Sequence, residues 1–394
     1  MSLPRLENAR VTDQHVLVRT DFTAAVDPAT GQVATESLLG FLKPTLELLL
    51  NRSAKVIIAP HCGEAGSAPS LEQVAPALSK LLGVDVNFAP KLPPDSSQSS
   101  QRFGDRVTLL ENLLLQPGES AGDKAFAKQL AGFADLYVND SFSACRHEYA
   151  SVLHLPGLLP SYAGLHLFKE MESLEALLNR NNKPLVLILG GVRLEQKLKL
   201  ALRFMEKIDT ILVGGGLAYT FLKSRAIPVG SSFVEKELEV PAFQMIEKAE
   251  LSETEFVLPL DHVTAEQFSK DSKTKNVNQT SIPERWFALD IGGKTVSRFE
   301  KAIKKAGCVF WYGPLGAIEM EKFGKGTRSV AAALAKSKAH TVATGVDTVR
   351  SIHAAGLADK FAHLSPDSGT ALEFLMTGSL PGLKALEDSQ ESEE

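Results

Sequence analysis

The chain has 394 residues, 44% of them hydrophobic and 23% charged, with a formal net charge of −5. That length exceeds what one hydrophobic core organises, so two domains are expected. The composition is that of a soluble globular protein: it excludes a disordered chain, no apolar run approaches the ~20 residues a bilayer span needs, and the lack of a basic block argues against nucleic acid as partner.

The opening MSLPRLENARVTDQ lacks the apolar segment of a signal peptide. Cys62, Cys145 and Cys308 are too widely spaced for a disulfide framework or a zinc pattern. A cytoplasmic protein with no membrane contact is expected.

In chain order, Val16–Thr20 reads as a strand that delivers Asp21 to its carboxyl end. Glu36–Asn51 reads as one helix kinked at Pro44, and Lys55–Ala59 as a strand that delivers His61. Ser70–Leu82 suits a helix with Ser70 as its N-cap, and the polar run Pro93–Gln101 suits a surface loop. Val107–Leu110 then leads to Glu111 and Asn112, a helix is expected over Ala121–Ala131, and Leu136–Val138 leads to Asn139 and Asp140. Polar groups handed in succession to the carboxyl edge of one sheet point to a site there.

A long helix is expected over Leu159–Leu178, followed by the break Asn179–Asn182. Leu185–Leu189 is a short apolar run suited to a buried parallel strand. Gly190 and Gly191 end it, and Leu194, Leu198, Ala201, Leu202 and Met205 recur at helical spacing. Thr210–Val213, the turn Gly214, Gly215 and Gly216, and a helix over Leu217–Leu222 repeat the pattern. Both glycine turns then lie on one carboxyl edge, where bare N–H groups suit phosphate and Lys197 reaches back to it. Further strands are expected at Phe256–Pro259, Ala288–Ile291, Val309–Trp311, Thr341–Ala343 and His363–Ser365. The fold class is α/β, with two doubly wound parallel-sheet domains: residues 1–178 with a hinge helix from about 159, residues 179–383, and an acidic tail over 384–394.

The segments VLVRTDF, LLENL, YVNDSF, ILGG, VGGGLAYTFLK, LPLD, LDIGGKT, WYGPLG, KGT, LADKF and ALEFL resemble the phosphoglycerate kinase family, in order, from about Val16 to Leu383. The resemblance implies two Rossmann-like lobes joined by a helical hinge and facing a cleft. The amino lobe would hold 3-phosphoglycerate and the carboxyl lobe Mg-ATP or Mg-ADP, and closure would bring them together. On the acid side it implies Asp21, Thr23, His61, Arg146 and His147. On the nucleotide side it implies Arg193, Lys197, Gly214, Gly215, Gly313, Pro314, Glu319 (on the ribose hydroxyls), Gly345, Asp347 and Thr348. Lys197 and Asp347 would be the catalytic pair, with Asp347 engaging Mg²⁺ through the phosphates.

Departures from the family pattern concentrate in the acid half. Leu38 stands where the family's catalytic arginine falls, Leu114 and His147 replace two further arginines, and Glu64 replaces a fourth. Arg146 is the nearest substitute cation. Each charge-assisted contact to phosphate or carboxylate contributes roughly 1.5–3 kcal/mol, and an arginine at the moving phosphoryl typically contributes ~10³–10⁵ in rate. Restoring arginine at 38, 64 and 114 is therefore expected to restore anion binding. In the nucleotide half, Thr344 and Val346 flank Gly345, Asp367 enters a helix start, and Tyr312 replaces an asparagine. Weakened nucleotide binding is expected. One expectation is thus an adenine-nucleotide-binding, nucleotide-responsive protein, monomeric, with the reaction on 3-phosphoglycerate lost or strongly impaired. The alternative is a functioning phosphoglycerate kinase of glycolysis, or a kinase of this fold acting on a less anionic carboxylate.

Overall fold

The structure is a computed structural model that describes residues 3–93, 103, 105–178 and 183–391. The chain divides into two compact units, Met1–Met171 with Thr377–Glu394, and Glu172–Met376.

The first unit is built on β1 (His15–Asp21), β2 (Lys55–His61), β3 (Asn87–Ala89), β4 (Val107–Leu110), β5 (Leu136–Asn139) and β6 (Ser161–Ala163). They form a parallel sheet in the order β3-β4-β2-β1-β5-β6. β4 and β5 are buried throughout, which is why they read as continuous apolar runs and not as alternating ones. The order reverses at β1, whose neighbours β2 and β5 lie on opposite sides. Carboxyl ends at such a reversal are where open α/β sheets place their ligands.

The second unit contains β7 (Leu185–Leu189), β8 (Thr210–Val213), β9 (Glu255–Val257), β10 (His262–Ala265), β11 (Thr274–Val277), β12 (Phe287–Ile291), β13 (Cys308–Tyr312), β14 (His340–Thr344) and β15 (His363–Ser365). Six of these make a parallel sheet in the order β15-β14-β13-β7-β8-β9. Its reversal falls between β7 and β13, so the turns that follow those two strands are neighbours.

Several expected elements differ. The helix over Glu36–Asn51 is two, Glu36–Leu39 and Lys43–Asn51; Pro44 sits in the first turn of the second, where its missing N–H costs nothing, so it starts a helix and does not kink one. After Ser70 a 3₁₀ turn, Glu72–Val74, precedes the helix Ala75–Leu82, and the Ser70 hydroxyl donates to Glu111 Oε2 at 2.7 Å. Asp123 caps Lys124–Ala131 by accepting from the Ala125 amide at 2.7 Å, separating it from the turn Pro117–Ser120. The long helix begins at Leu165, because Ser161–Ala163 pairs with β5 as an edge strand.

Phe287–Ile291 is not part of the parallel series: with His262–Ala265 and Thr274–Val277 it makes an antiparallel sheet, β11-β10-β12. The residues from 384 are helical to Glu391 and group with the first unit; Leu383 and Leu386 are fully buried, and a Cβ on Gly382 would lie 2.9 Å from Cys145 Cα. Past Pro93, the loop expected to Gln101 lies outside the described residues, as do the Asn179–Asn182 break and the last residues of the tail. No helix among the described residues is long and apolar enough to cross a membrane.

Candidate functional site

In the first unit Asp21 and His61 are register partners at the ends of β1 and β2, and the sheet brings them together. His61 Nε2 lies 3.5 Å from Asp21 Oδ1, which also accepts from the Thr23 amide at 2.7 Å. The Ser143 hydroxyl, from the 3₁₀ turn Ser143–Arg146, donates to Asp21 Oδ2. Burial pushes the Asp21 carboxyl up, but His61, Ser143 and Thr23 outweigh it and hold the group below its usual value. Thr23 is exposed, and its hydroxyl accepts from the Gly63 amide at 3.4 Å. Arg146 and His147 are exposed on the turn; His147 stacks on Tyr149 at 4.7 Å, and Tyr149 meets His61 edge-on at 6.1 Å.

The other strand-end groups serve the fold. Asn112, fully buried, donates to the carbonyls of Cys62 and Pro69 at 2.9 Å each. Asn139 accepts from the Ser141 amide at 3.0 Å, and Asp140 Oδ1 caps the helix Leu165–Leu178 through the His166 and Leu167 amides at 2.9 and 3.1 Å. Leu38 and Leu114 are each only 4% exposed, and of positions 38, 64 and 114 only Glu64 is exposed. Two of the three positions at which restored arginine is expected to bring back anion binding are thus nearly fully buried.

In the second unit the turns after β7, β8 and β13 close on one another. The Gly190 amide donates to Tyr312 O at 2.8 Å, Gly191 to Pro314 O at 2.6 Å, Gly214 to Leu189 O at 2.8 Å and Gly215 to Leu315 O at 3.0 Å. Gly215 and Gly313 have φ of 65° and 94°, and a Cβ on Gly215 would overlap the Gly191 amide and lie 2.7 Å from Pro314 O. The glycine spacing predicts bare donors for phosphate; instead these four amides are taken by neighbouring carbonyls. They lock three turns into one scaffold.

Around that scaffold stand the polar groups. Lys197 is 3% exposed, donates to Val192 O, and lies 4.3 Å from the centre of the Tyr312 ring. Burial pushes its ammonium down to about 8, with Glu235 opposing and Arg193 adding to the fall. Arg193 is exposed and precedes the helix Leu194–Phe204 with a left-handed backbone, φ 62°, a strained conformation for a non-glycine residue. The Leu194 amide of that helix is taken by Glu235 Oε1 at 3.0 Å. Glu319 is exposed in the turns after β13. Gly345 donates to Ser365 O at 3.0 Å and precedes the helix Val346–Ala354, whose first turn carries exposed Asp347 and buried Thr348.

Thr344 Oγ1, Thr348 Oγ1 and Ser365 Oγ are buried and have no hydrogen-bond partner among the described residues. Buried hydroxyls left this way need an acceptor from elsewhere. Asp367 Oδ1 accepts from the Gly369 and Thr370 amides at 2.8 and 3.2 Å, so the start of the helix Ser368–Thr377 already holds a carboxylate.

Among the described residues no group of three or more His, Cys, Asp or Glu side chains is arranged to hold a metal ion. The partnerless hydroxyls and buried Lys197 fit an oxygen-rich anion on the same edge.

Sequence reasoning missed the buried group Arg19, Glu119 and Ser151 beneath the acid-side residues, and Ser143. Arg19 carried a legible signal: a charge in the middle of an apolar strand requires a buried partner.

Two α/β units, each with an open parallel sheet and polar groups collected at a carboxyl edge, define the class: a two-domain, doubly wound α/β protein. The family model described as "Phosphoglycerate kinase" matches residues 6–378. A phosphoglycerate kinase of Leptospira biflexa is 40% identical, covering 99% of this chain and 100% of the relative; one of Salinispora tropica is 39% identical, covering 96% of each. The solved phosphoglycerate kinase of Coxiella burnetii aligns with a TM-score of 0.81 at 29% identity, covering 98% of this chain and 99% of that one. The chain belongs to the phosphoglycerate kinase family.

Proposed function

We propose that this chain is a phosphotransferase of its family's type, moving a phosphoryl group between an adenine nucleotide and the carboxylate of 3-phosphoglycerate. The observation that carries this reading is the carboxyl edge of the second unit. There, buried Lys197 and the partnerless hydroxyls of Thr344, Thr348 and Ser365 await an acceptor-rich ligand. Bound Mg-nucleotide would supply the transferable phosphoryl group and a divalent charge beside it. Lys197 then acts as a point charge toward the phosphates, and Asp347 as the carboxylate for the ion. Arg193 adds a cation at the strained start of its helix. Gly214, Gly215, Gly313, Pro314 and Glu319 shape the nucleoside side. Gly345 and Thr348 offer backbone and hydroxyl contacts. Asp21, Thr23, His61, Arg146 and His147 meet the acid. Nucleotide binding is weak because the Asp367 carboxylate already occupies one helix start. The protein acts as a cytoplasmic monomer.

A second reading is favoured by the first unit: turnover with 3-phosphoglycerate is strongly impaired or lost, and the chain responds to nucleotide without transferring phosphoryl. Its support is that buried Leu38 and Leu114 and the anionic Glu64 stand where the family resemblance implies arginine. A multiply charged acid gains little there, since a desolvated anion must be paired. A coupled assay with ATP and 3-phosphoglycerate, run beside calorimetry with ADP and ATP, tests both. Turnover within about a hundredfold of an ordinary family member rules out the second reading. Binding of nucleotide with no turnover rules out the first, and no heat with either nucleotide at millimolar concentration rules out both.

A further inference from the structure

Arg19 Nη1 lies 2.7 Å from His61 Nδ1. A guanidinium has five N–H donors and no acceptor, so the arginine donates and the imidazole receives with its Nδ1 lone pair. The ring's one proton is then on Nε2. Arg19 is itself clamped: Nε donates to Ser151 Oγ at 2.8 Å, Nη1 to Thr20 O at 2.7 Å and Nη2 to Glu119 Oε1 at 3.3 Å. Glu119 in turn accepts from the Ser151 hydroxyl at 2.6 Å and the Ser151 amide at 3.0 Å. Arg19, Glu119 and Ser151 are fully buried, and His61 is 5% exposed.

We propose that Arg19 is a positioning residue that keeps His61 as the neutral imidazole carrying its proton on Nε2, facing Asp21. The acid-side site then offers an N–H donor without a charge. Protonating Nδ1 would set two N–H donors and two cations against each other at hydrogen-bond distance. The groups that face the ring are Asp21 from β1, Arg19 with Glu119 behind it, and His147 and Tyr149 from the segment after β5. Burial pushes the imidazole down to about 4; Asp21 and a hydrogen bond to the Thr20 backbone oppose, while Arg19 and His147 push it further down. The bearing of this on acid recognition rests on the function proposed above. The state of the ring does not, so failure of one is distinguishable from failure of the other.

Long-range proton–nitrogen spectra of the wild-type chain labelled at histidine, recorded from pH 5.5 to 8, read the ring directly, with His61→Gln assigning the signal. The Nε2–H form is expected throughout, with no protonation in that range. An Nδ1–H form, or a midpoint near the ordinary value of about 6.5, overturns the proposal. Arg19→Met should mix the two tautomers and raise the protonation midpoint into the recorded range. A folded Arg19→Met protein that keeps the pure Nε2–H form overturns the role of the arginine. Where that variant does not fold, Arg19→Met combined with Glu119→Gln, which removes the carboxylate left without its cation, is read by the same two outcomes.

Discussion

Lys197 and Tyr312 form a cation–π pair, with the ammonium 4.3 Å from the ring centre. The ammonium is held at about 8, mainly by burial, below its ordinary 10.5. Between those values the unfolded chain binds the extra proton, so this group makes stability rise with pH from about 8 to 10.5. Phosphate attraction moves the other way. Nucleotide affinity measured by calorimetry is expected to fall as pH passes through about 8. Tyr312→Asn, which frees the ammonium from the ring, should tighten ADP binding by roughly two- to tenfold, the range of a cation–π contact of ~0.5–1 kcal/mol or somewhat more. An ADP affinity flat from pH 7 to 9 would remove Lys197 from the binding site.

Asp367 supplies both a cap and a negative charge at the start of the helix Ser368–Thr377. Asp367→Asn keeps an oxygen for the Gly369 and Thr370 amides, so stability should change by less than about 0.5 kcal/mol. The same variant should bind ATP several-fold more tightly, because no carboxylate then opposes the phosphates. Equal affinity in the two proteins would show that the phosphates lie elsewhere.

Leu38 is nearly fully buried on the short helix Glu36–Leu39. Leu38→Arg forces a guanidinium into a nearly fully buried position, and should lower stability by about 2 kcal/mol or more in urea unfolding. A variant as stable as wild type that also binds 3-phosphoglycerate would mean that this helix opens toward solvent.

Gly215 is a steric requirement. Gly215→Ala puts a methyl group against the Gly191 amide at a positive φ, and should cost several kcal/mol or prevent the second unit from folding. Circular dichroism melting checks this, and a shift of under two degrees would contradict the packing of the three turns.

Asp140 is buried, and burial pushes its carboxyl up to about 7, with Thr45 and the Leu167 and His166 amides opposing. A raised acid contributes stability that is fully present at low pH and lost as pH rises through about 7. Asp140→Asn keeps the helix cap and removes the titration. It should be more stable than wild type at pH 8, by on the order of 1 kcal/mol, with a flatter stability curve between pH 4 and 7. A wild-type curve already flat over that range would contradict the raised value.

The central strands were legible because burial on both faces writes them as unbroken apolar runs, and Asp21 and His61 were legible because each ends such a run. β3 and β6 were not, since three-residue edge strands such as Asn87–Ala89 and Ser161–Ala163 carry no period long enough to recognise. Phe287–Ile291 looked like the other strands; its antiparallel partners, in polar segments such as Thr274–Val277, did not.

By itself the sequence determined the α/β class, the family, and the presence of leucine at positions 38 and 114, because these depend only on residue type and order. Tertiary structure decided what those residues do. It buried Leu38 and Leu114, turned the glycine amides onto neighbouring turns, and set Arg19 against a carboxylate 100 residues away. Burial and hydrogen-bond pairing are properties of neighbours in space, and chain order does not record which residues those will be.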